Sequence, residues 1–444
     1  MDSEKTLKDV SSRLLGLVKK ADPKAEALVQ AYASHHAHIR FARNTVTTTG
    51  DIEQTSVTLA LKLGMRTAAS VTNQTDPAAL QRLVDRTLAM ARLSPEDPEA
   101  MPVLGPQKYV KTPMSDPAID SLDPAARANA VRAALDAGKE AKLEVAGFLQ
   151  HITAGVLRAT SAGLLAVQSA SDLRFSVTAR TADGSGSGWA NGTSRRRGDV
   201  DFGAIARTAC ARAAASRSAI ALEPGRYTVV LEPAATIALT DAAVWHLDRR
   251  SADEGRSAYA KAGGGTRAGE KMFSELVTLV SQPASAAAPQ LPFDGEGLAL
   301  EPRTWVEKGV VKELSCGRYW AKKSGAKPTG GYAGYELVPG TASRDELIKG
   351  VKRGVLITRF WYTNMIDPKT LSLTGLTRDG TFLIEDGAVT KPVNNFRFNQ
   401  SAIDALNKCD ALSKETSGAQ WTPDVRVPAM RTHEFLLASK SDAV

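Results

Sequence analysis

Cysteine is scarce in this chain of 444 residues. Its three cysteines, Cys210, Cys316 and Cys409, are odd in number, far apart and never in a CxxC pair. That excludes a disulfide scaffold and the ordinary structural zinc ribbons. No stretch approaches the roughly 18 consecutive apolar residues of a membrane-spanning helix, so no membrane partner is expected. GxSxG, P-loop and strand-borne GxGxxG motifs are missing as well. Charge of one sign is barely in excess: 56 Lys+Arg against 48 Asp+Glu leave +8. The one dense basic run, Arg195-Arg196-Arg197, lacks a flanking stripe of basic and aromatic residues. It reads as a solvated loop, and no nucleic-acid partner is expected. What is present suits a globular protein: 43% hydrophobic and 23% charged residues fill a core without staples. The polar start Met1-Asp2-Ser3-Glu4-Lys5 has no apolar h-region, which predicts a cytoplasmic location.

Periodicity predicts an α+β protein. Residues 4–33 read as one or two helices, with Leu7, Val10, Leu14 and Val18 at helical spacing. Alternation over His36–Phe41 and the run 56–63 read as strands. A helix is predicted over 77–93, and another over 123–143, opened by Asp123-Pro124. Between them, residues 94–118 hold six prolines and read as an extended linker. Strands at 145–156, 163–169 and 172–182 precede a Gly/Ser loop, 183–192, around Trp189, and then a helix over 202–217. Pro224-Gly225 marks a boundary. Beyond it come a strand, 226–231, a helix over 233–250, and many short strands: 275–281, 303–307, 310–315, 354–362, 371–376, 380–385 and 393–398. Helices at 343–352 and 401–409 interrupt them, and Asp379-Gly380 and Asp386-Gly387 read as hairpin turns. The division is therefore an α+β N-terminal half, 1–222, made of a first segment (1–95), the linker (96–118) and a central segment (119–222). A β-rich C-terminal half, 223–444, is built on a mixed sheet or barrel.

Few residues declare chemistry. His36 and His38 share a strand face, yet nothing adjacent supplies the third ligand and second shell of a metal site. His433-Glu434 fails as HExxH because Leu437 stands where the second histidine belongs. His246 follows Asp241 by five residues, about 140° off a shared helix face. Both reach one point only if the helix bends or ends there. The glycine-rich run 325–340 reads as a mobile loop of the kind that often covers sites.

Several segments are more specific together. GVLITRFWYTNMIDPKTLSLTGLTRDGTFLIEDGAVTKPVNNFRFNQS (354–401), ALEPGRYTVVLEP (221–233), SADEGRSAYA (251–260), PFDGEGL (292–298) and GRYWAKKSGAKPTGG (317–331) resemble the TldD/PmbA family of bacterial modulator-of-gyrase proteins. HIRFARNTVTTTGDIEQTSVTLAL (38–61) and GSGSGWA (184–190) agree more loosely. The resemblance implies a two-part TldD/PmbA-like architecture. It also implies one of two member types. The catalytic type is a zinc metallopeptidase with HExxxH on the helix after the first strand of its C-terminal domain, and a cysteine near the C-terminus completes the metal site. The other is its metal-free partner (the TldE/PmbA type). The two form a heterodimer that cleaves unfolded or flexible peptides, which enter a narrow cavity as extended strands.

Aligned on that helix, this chain carries Asp241 for the first ligand, Ala242 for the catalytic glutamate, Trp245 for the glycine before the last histidine, and His246. The late cysteine belongs near 415–420, which reads ETSGAQ. A catalytic zinc needs three protein ligands and a carboxylate base, and alanine offers none. The resemblance therefore implies the TldE/PmbA type, with no cofactor in this chain and zinc in a TldD-like catalytic partner. Peptide or cavity contact is expected from Trp245, Gly330, Gly331, Arg359, Phe360, Trp361 and Tyr362. Strand addition is the expected binding mode, although single aromatics such as Phe360 and Trp361 more often serve core packing. Two other readings stay open: a self-sufficient metallopeptidase with a divergent metal site at Asp241 and His246, and a homodimeric peptide-binding protein without catalysis.

Overall fold

The computed structural model describes residues 3–441; the Met1-Asp2 start lies outside them. Helix α1 (Ser3–Ala21) buries Leu7, Leu14 and Val18. The helical reading of 4–33 fails beyond it, because strand β1 (Glu26–Ala42) begins at Glu26. Residues 28–33 are apolar on both faces except Gln30, so their period of two was masked. β2 (Thr45–Leu63) and β3 (Arg66–Thr72) follow, then α2 (Pro77–Leu93), α3 (Pro117–Asp120) and α4 (Pro124–Glu140). Asp76, Asp116 and Asp123 each cap one of these helices ahead of a first-turn proline. β4 (Glu144–Thr160), β5 (Leu165–Arg180) and β6 (Ser187–Ser194) complete an antiparallel sheet in the order β3-β2-β1-β4-β5-β6. α1 and α2 cover one part of its buried face. α4 and α5 (Phe202–Ala215) cover the other.

Three expectations change here. The two strands predicted over 163–182 are one, since Ser169–Ser171 pair in register with Thr153–Gly155 instead of turning. The predicted Gly/Ser loop contains β6. Its glycines serve close packing: a Cβ on Gly188 would lie 2.3 Å from the Ala209 carbonyl oxygen of α5. The proline-rich stretch is tied down, with Glu26 accepting from the Val103 N–H and Tyr109 donating to the Gly297 carbonyl.

The second sheet is mixed and has eleven strands. β7 (Gly225–Leu231) leads into α6 (Pro233–Trp245) and α7 (Arg249–Asp253). Then come β8 (Leu279–Ser281), β9 (Arg303–Glu307), β10 (Val310–Val311), α8 (Arg318–Ser324), β11 (Tyr335–Leu337) and α9 (Arg344–Lys349). β12 (Arg353–Asp367), β13 (Ser372–Glu385), β14 (Ala388–Pro392), β15 (Asn395–Ser401), α10 (Ala402–Asn407), β16 (Cys409–Gly418) and β17 (Val425–Ser441) end the chain's described part. β17 pairs with both β15 and β7, so β7-β12-β13-β15-β17 closes on itself. Closure encloses Val229, Val355, Ile357, Phe396 and Phe435. β16 and β17 were absent from the sequence reading, and Cys409 opens β16 instead of lying in a helix. The run 325–340 is no free loop, because it holds β11 and the buried Tyr335 and Leu337.

Asp379-Gly380 is a bulge inside β13, not a hairpin turn. Thr358 of β12 faces both residues, and the register shifts by one between Ile357 and Arg359. Positive φ at Asp379 (56°) and Gly380 (135°) gave the sequence its turn-like look. The bulge aims the Asp379 carboxylate inward at the Arg359 guanidinium and the Ser187 hydroxyl of β6. Asp379 is 1% exposed and Arg359 9%. The basic run also departs from a solvated loop: Arg195 is buried and its Nε donates to Asp424 at 2.9 Å, and Arg197 stacks 4.3 Å over Phe202.

Asp379→Ala leaves the Arg359 charge buried without its partner. A loss of about 3–5 kcal/mol is expected. Urea unfolding checks this; a loss below about 1 kcal/mol would mean solvent reaches the pair.

Candidate functional site

α6 is buried almost all round, through Ala235, Ile237, Leu239, Ala243 and Val244. It ends at Trp245, short of the predicted 250, because Asp248 caps the next helix by accepting from the Ser251 N–H. His246 is the C-cap, and its Nδ1 donates back to the Ala242 carbonyl at 2.9 Å. The helix end thus resolves the angular conflict in the sequence. Asp241, Ala242, Trp245 and His246 all line one cleft of ≈ 500 Å³.

The opposite wall comes from β12. A second bulge lies between Trp361 and Asn364, with Tyr362 at φ 51°. In a regular strand successive side chains point to opposite faces. Here Arg359, Phe360, Trp361 and Tyr362 all border the cleft. Phe360 also packs on Phe398 at 4.3 Å between centroids, so the core-packing reading holds for it as well. Trp361 is different: it is 36% exposed, with the Arg359 and Arg378 guanidinium groups 4.9 and 5.3 Å from its ring. Tyr362, Trp245 and Trp421 are 73%, 63% and 55% exposed.

Gly330 and Gly331 do not line the cleft. Gly330 packs near Leu300 and Asp294, while the next aromatic, Tyr332, stands edge-on to Trp245 at 5.2 Å. Sequence reasoning missed Trp189, Gln420 and Trp421 as lining residues. Trp189 was hidden in an apparent loop, and the segment after Gly418 carries no periodic signal. Trp361, Gln420 and Trp421 also line a second hollow of ≈ 370 Å³ with Phe148, Gln150 and Arg174 of the first sheet.

Asp241 is the unusual group. Tyr335 donates to its Oδ1 at 2.6 Å, and the Trp245 side chain also hydrogen-bonds it. No basic side chain pairs with it among the described residues. Burial pushes its carboxyl up to about 6, against the two hydrogen bonds. As a metal site the set is incomplete. Asp241 and His246 are two donors where a zinc needs three, and Ala242 supplies no base. No group of three His, Cys, Asp or Glu suited to a metal forms among the described residues. The 415–420 segment reaches the cleft only through Gln420. Cys409 is buried away from it, its thiol pushed up to about 12 by burial. His36 and His38 lie 5.3 Å apart with no third donor, and His433 sits on a strand against Asp410.

The class is thus a two-sheet protein in which the helix after the first barrel strand places Asp241 and His246 on one cleft. The comparisons agree. Residues 224–438 match the PmbA/TldA metallopeptidase C-terminal domain and residues 116–217 the PmbA/TldA metallopeptidase central domain. This chain belongs to the PmbA/TldD metallopeptidase family. A zinc metalloprotease TldD homolog of Saccharolobus solfataricus is 25% identical over 214 residues, 43% of this chain. The match spans 44% of that curated relative, less than half its length. The fold is that of TldE from Thermococcus kodakarensis, with a TM-score of 0.86 at 18% identity over 97% of this chain and 100% of that one. A Thermotoga maritima MSB8 protein described as a modulator of a DNA gyrase gives 0.84 at 18% over 97% and 99%. No helix of the described residues is long and apolar enough to cross a membrane.

Folding lifts the Asp241 carboxyl from 3.8 to about 6. Between those values the folded chain keeps a proton that the unfolded chain releases. Stability from this group is therefore present in acid and lost as pH rises from about 4 to 6. Asp241→Asn removes that loss, so the variant gains on the wild type across this window. Parallel stability curves from pH 4 to 7 would contradict the shift.

Proposed function

We propose that this chain is a TldE/PmbA-type subunit of a TldD-type zinc metallopeptidase complex, without a catalytic zinc of its own. The observation that carries this reading is the α6 triplet. Asp241 is tied to Tyr335, His246 is turned onto its own helix, and Ala242 occupies the position of the base. Two donors without a proton acceptor cannot both hold zinc and activate water.

The chain's part is to complete a peptide cavity. β12 pairs with β7 only over Gly354–Ile357, so no described strand occupies that edge from Thr358 onward. The unpaired edge borders the aromatic cleft, where an extended peptide can add as a strand. The substrates are unfolded or flexible peptides, matured or degraded by the zinc-bearing partner in the cytoplasm. The reading of a self-sufficient peptidase rests on the same Asp241–His246 pair and lacks a base.

Zinc content after exposure and dialysis tests the reading. Well under one zinc per chain is expected, unchanged in His246→Ala. One zinc per chain, lost in that variant, would restore a metal site.

A further inference from the structure

Asp241 stands at the wall of a cleft whose other polar charge is already matched. Arg359 also borders the cleft, but Asp379 takes its guanidinium. Arg378 does not line the cleft. His246 has its Nδ1 committed to a backbone carbonyl. That leaves one carboxylate, held by the neutral donors Tyr335 and Trp245, with no cation beside it. The rings of Trp245, Tyr362 and Trp421 line the same cleft, all partly open to solvent, while Trp361 beside them already faces Arg359 and Arg378. A carboxylate amid aromatic faces is the arrangement that takes an organic cation: the charge pairs with the acid, and the rings attract it through their π faces.

We propose that α6 presents a cation-binding pocket, in which Asp241 holds an ammonium or guanidinium group against Trp245 and Trp421. Resting on the peptide reading above, the ligand is the free N-terminus or a Lys or Arg side chain of the peptide. The pocket then fixes where a peptide entering along the β12 edge begins or is gripped. Asp241 is then a specificity residue, selecting cationic over neutral peptides.

Titration of the full chain, followed by tryptophan fluorescence at neutral pH, tests this. The probes are n-butylammonium against n-butanol, and one flexible lysine-containing peptide in three forms: free, N-acetylated, and N-acetylated with lysine replaced by norleucine. Butylammonium should bind at least about tenfold tighter than butanol, and Asp241→Asn should erase that preference. The asparagine matches the aspartate in size, and the charged-versus-neutral comparison on the wild type needs no variant. The peptide forms separate the two sources of cation: loss on acetylation assigns the N-terminus, and loss only with norleucine assigns the side chain. Equal binding of butanol and butylammonium would overturn the pocket. So would a preference that survives in Asp241→Asn. A preference for the amine that depends on Asp241, with no peptide bound in any form, would support the pocket and contradict the peptide reading.

Discussion

The buried Arg359–Asp379 pair is the contact on which the site depends. Asp379 also accepts from Ser187 of the first sheet, and the Arg359 guanidinium lies 4.5 Å over Trp189 of the same strand. One ion pair thus ties β12, β13 and β6 together. Neither charge could remain in this place alone, since an unpaired charge in the interior is costly. The bulge at Asp379-Gly380 is what allows the carboxylate to reach inward. Related links repeat the theme: Arg195 joins Asp424, and Arg212 of α5 joins Glu232 at the start of α6. The seam between the two sheets is held by charge pairs that have few alternatives.

The cleft follows from this seam. With Arg359 fixed, Trp361 is held beside its guanidinium, and the next bulge turns Tyr362 toward the same space. α6 closes the other side, its end placed by the cap at Asp248. The site is therefore built on rigid strands and a buried helix, with Trp245 and Trp421 as its exposed rims. Asp241 keeps a half-buried carboxylate whose partners among the described residues are neutral donors.

Much of this was legible in the residues. Apolar spacing announced the helix over 77–93 and the Asp123-Pro124 cap the one that opens at Pro124, whereas the four-residue helix at Pro117 went unread at the end of the expected linker. The family resemblance singled out the Arg359–Tyr362 run and the Asp241–His246 pair, and both line one cleft, although the five-residue spacing of the pair argued against a shared face. The parts that were not legible have physical causes. Strand β1 hid its period behind apolar residues on both faces. Gly188 looked like a loop residue because close helix packing and loops both favour glycine. Asp379-Gly380 looked like a turn because bulges and turns share positive φ. Trp421 and Gln420 reach the cleft only through long-range closure of the barrel, which no local pattern encodes.

Membership in a metallopeptidase family and the two-donor set of Asp241 and His246 on α6 meet in the proposal that this chain serves catalysis without performing it. The most direct test is cleavage of an unfolded peptide, followed by mass spectrometry. The samples are this chain alone, a TldD-type chain carrying HExxxH alone, and their mixture. Cleavage is expected only where the HExxxH chain is present, stronger in the mixture, and unaffected by His246→Ala in this chain. Cleavage by this chain alone, abolished by that substitution, would contradict the claim.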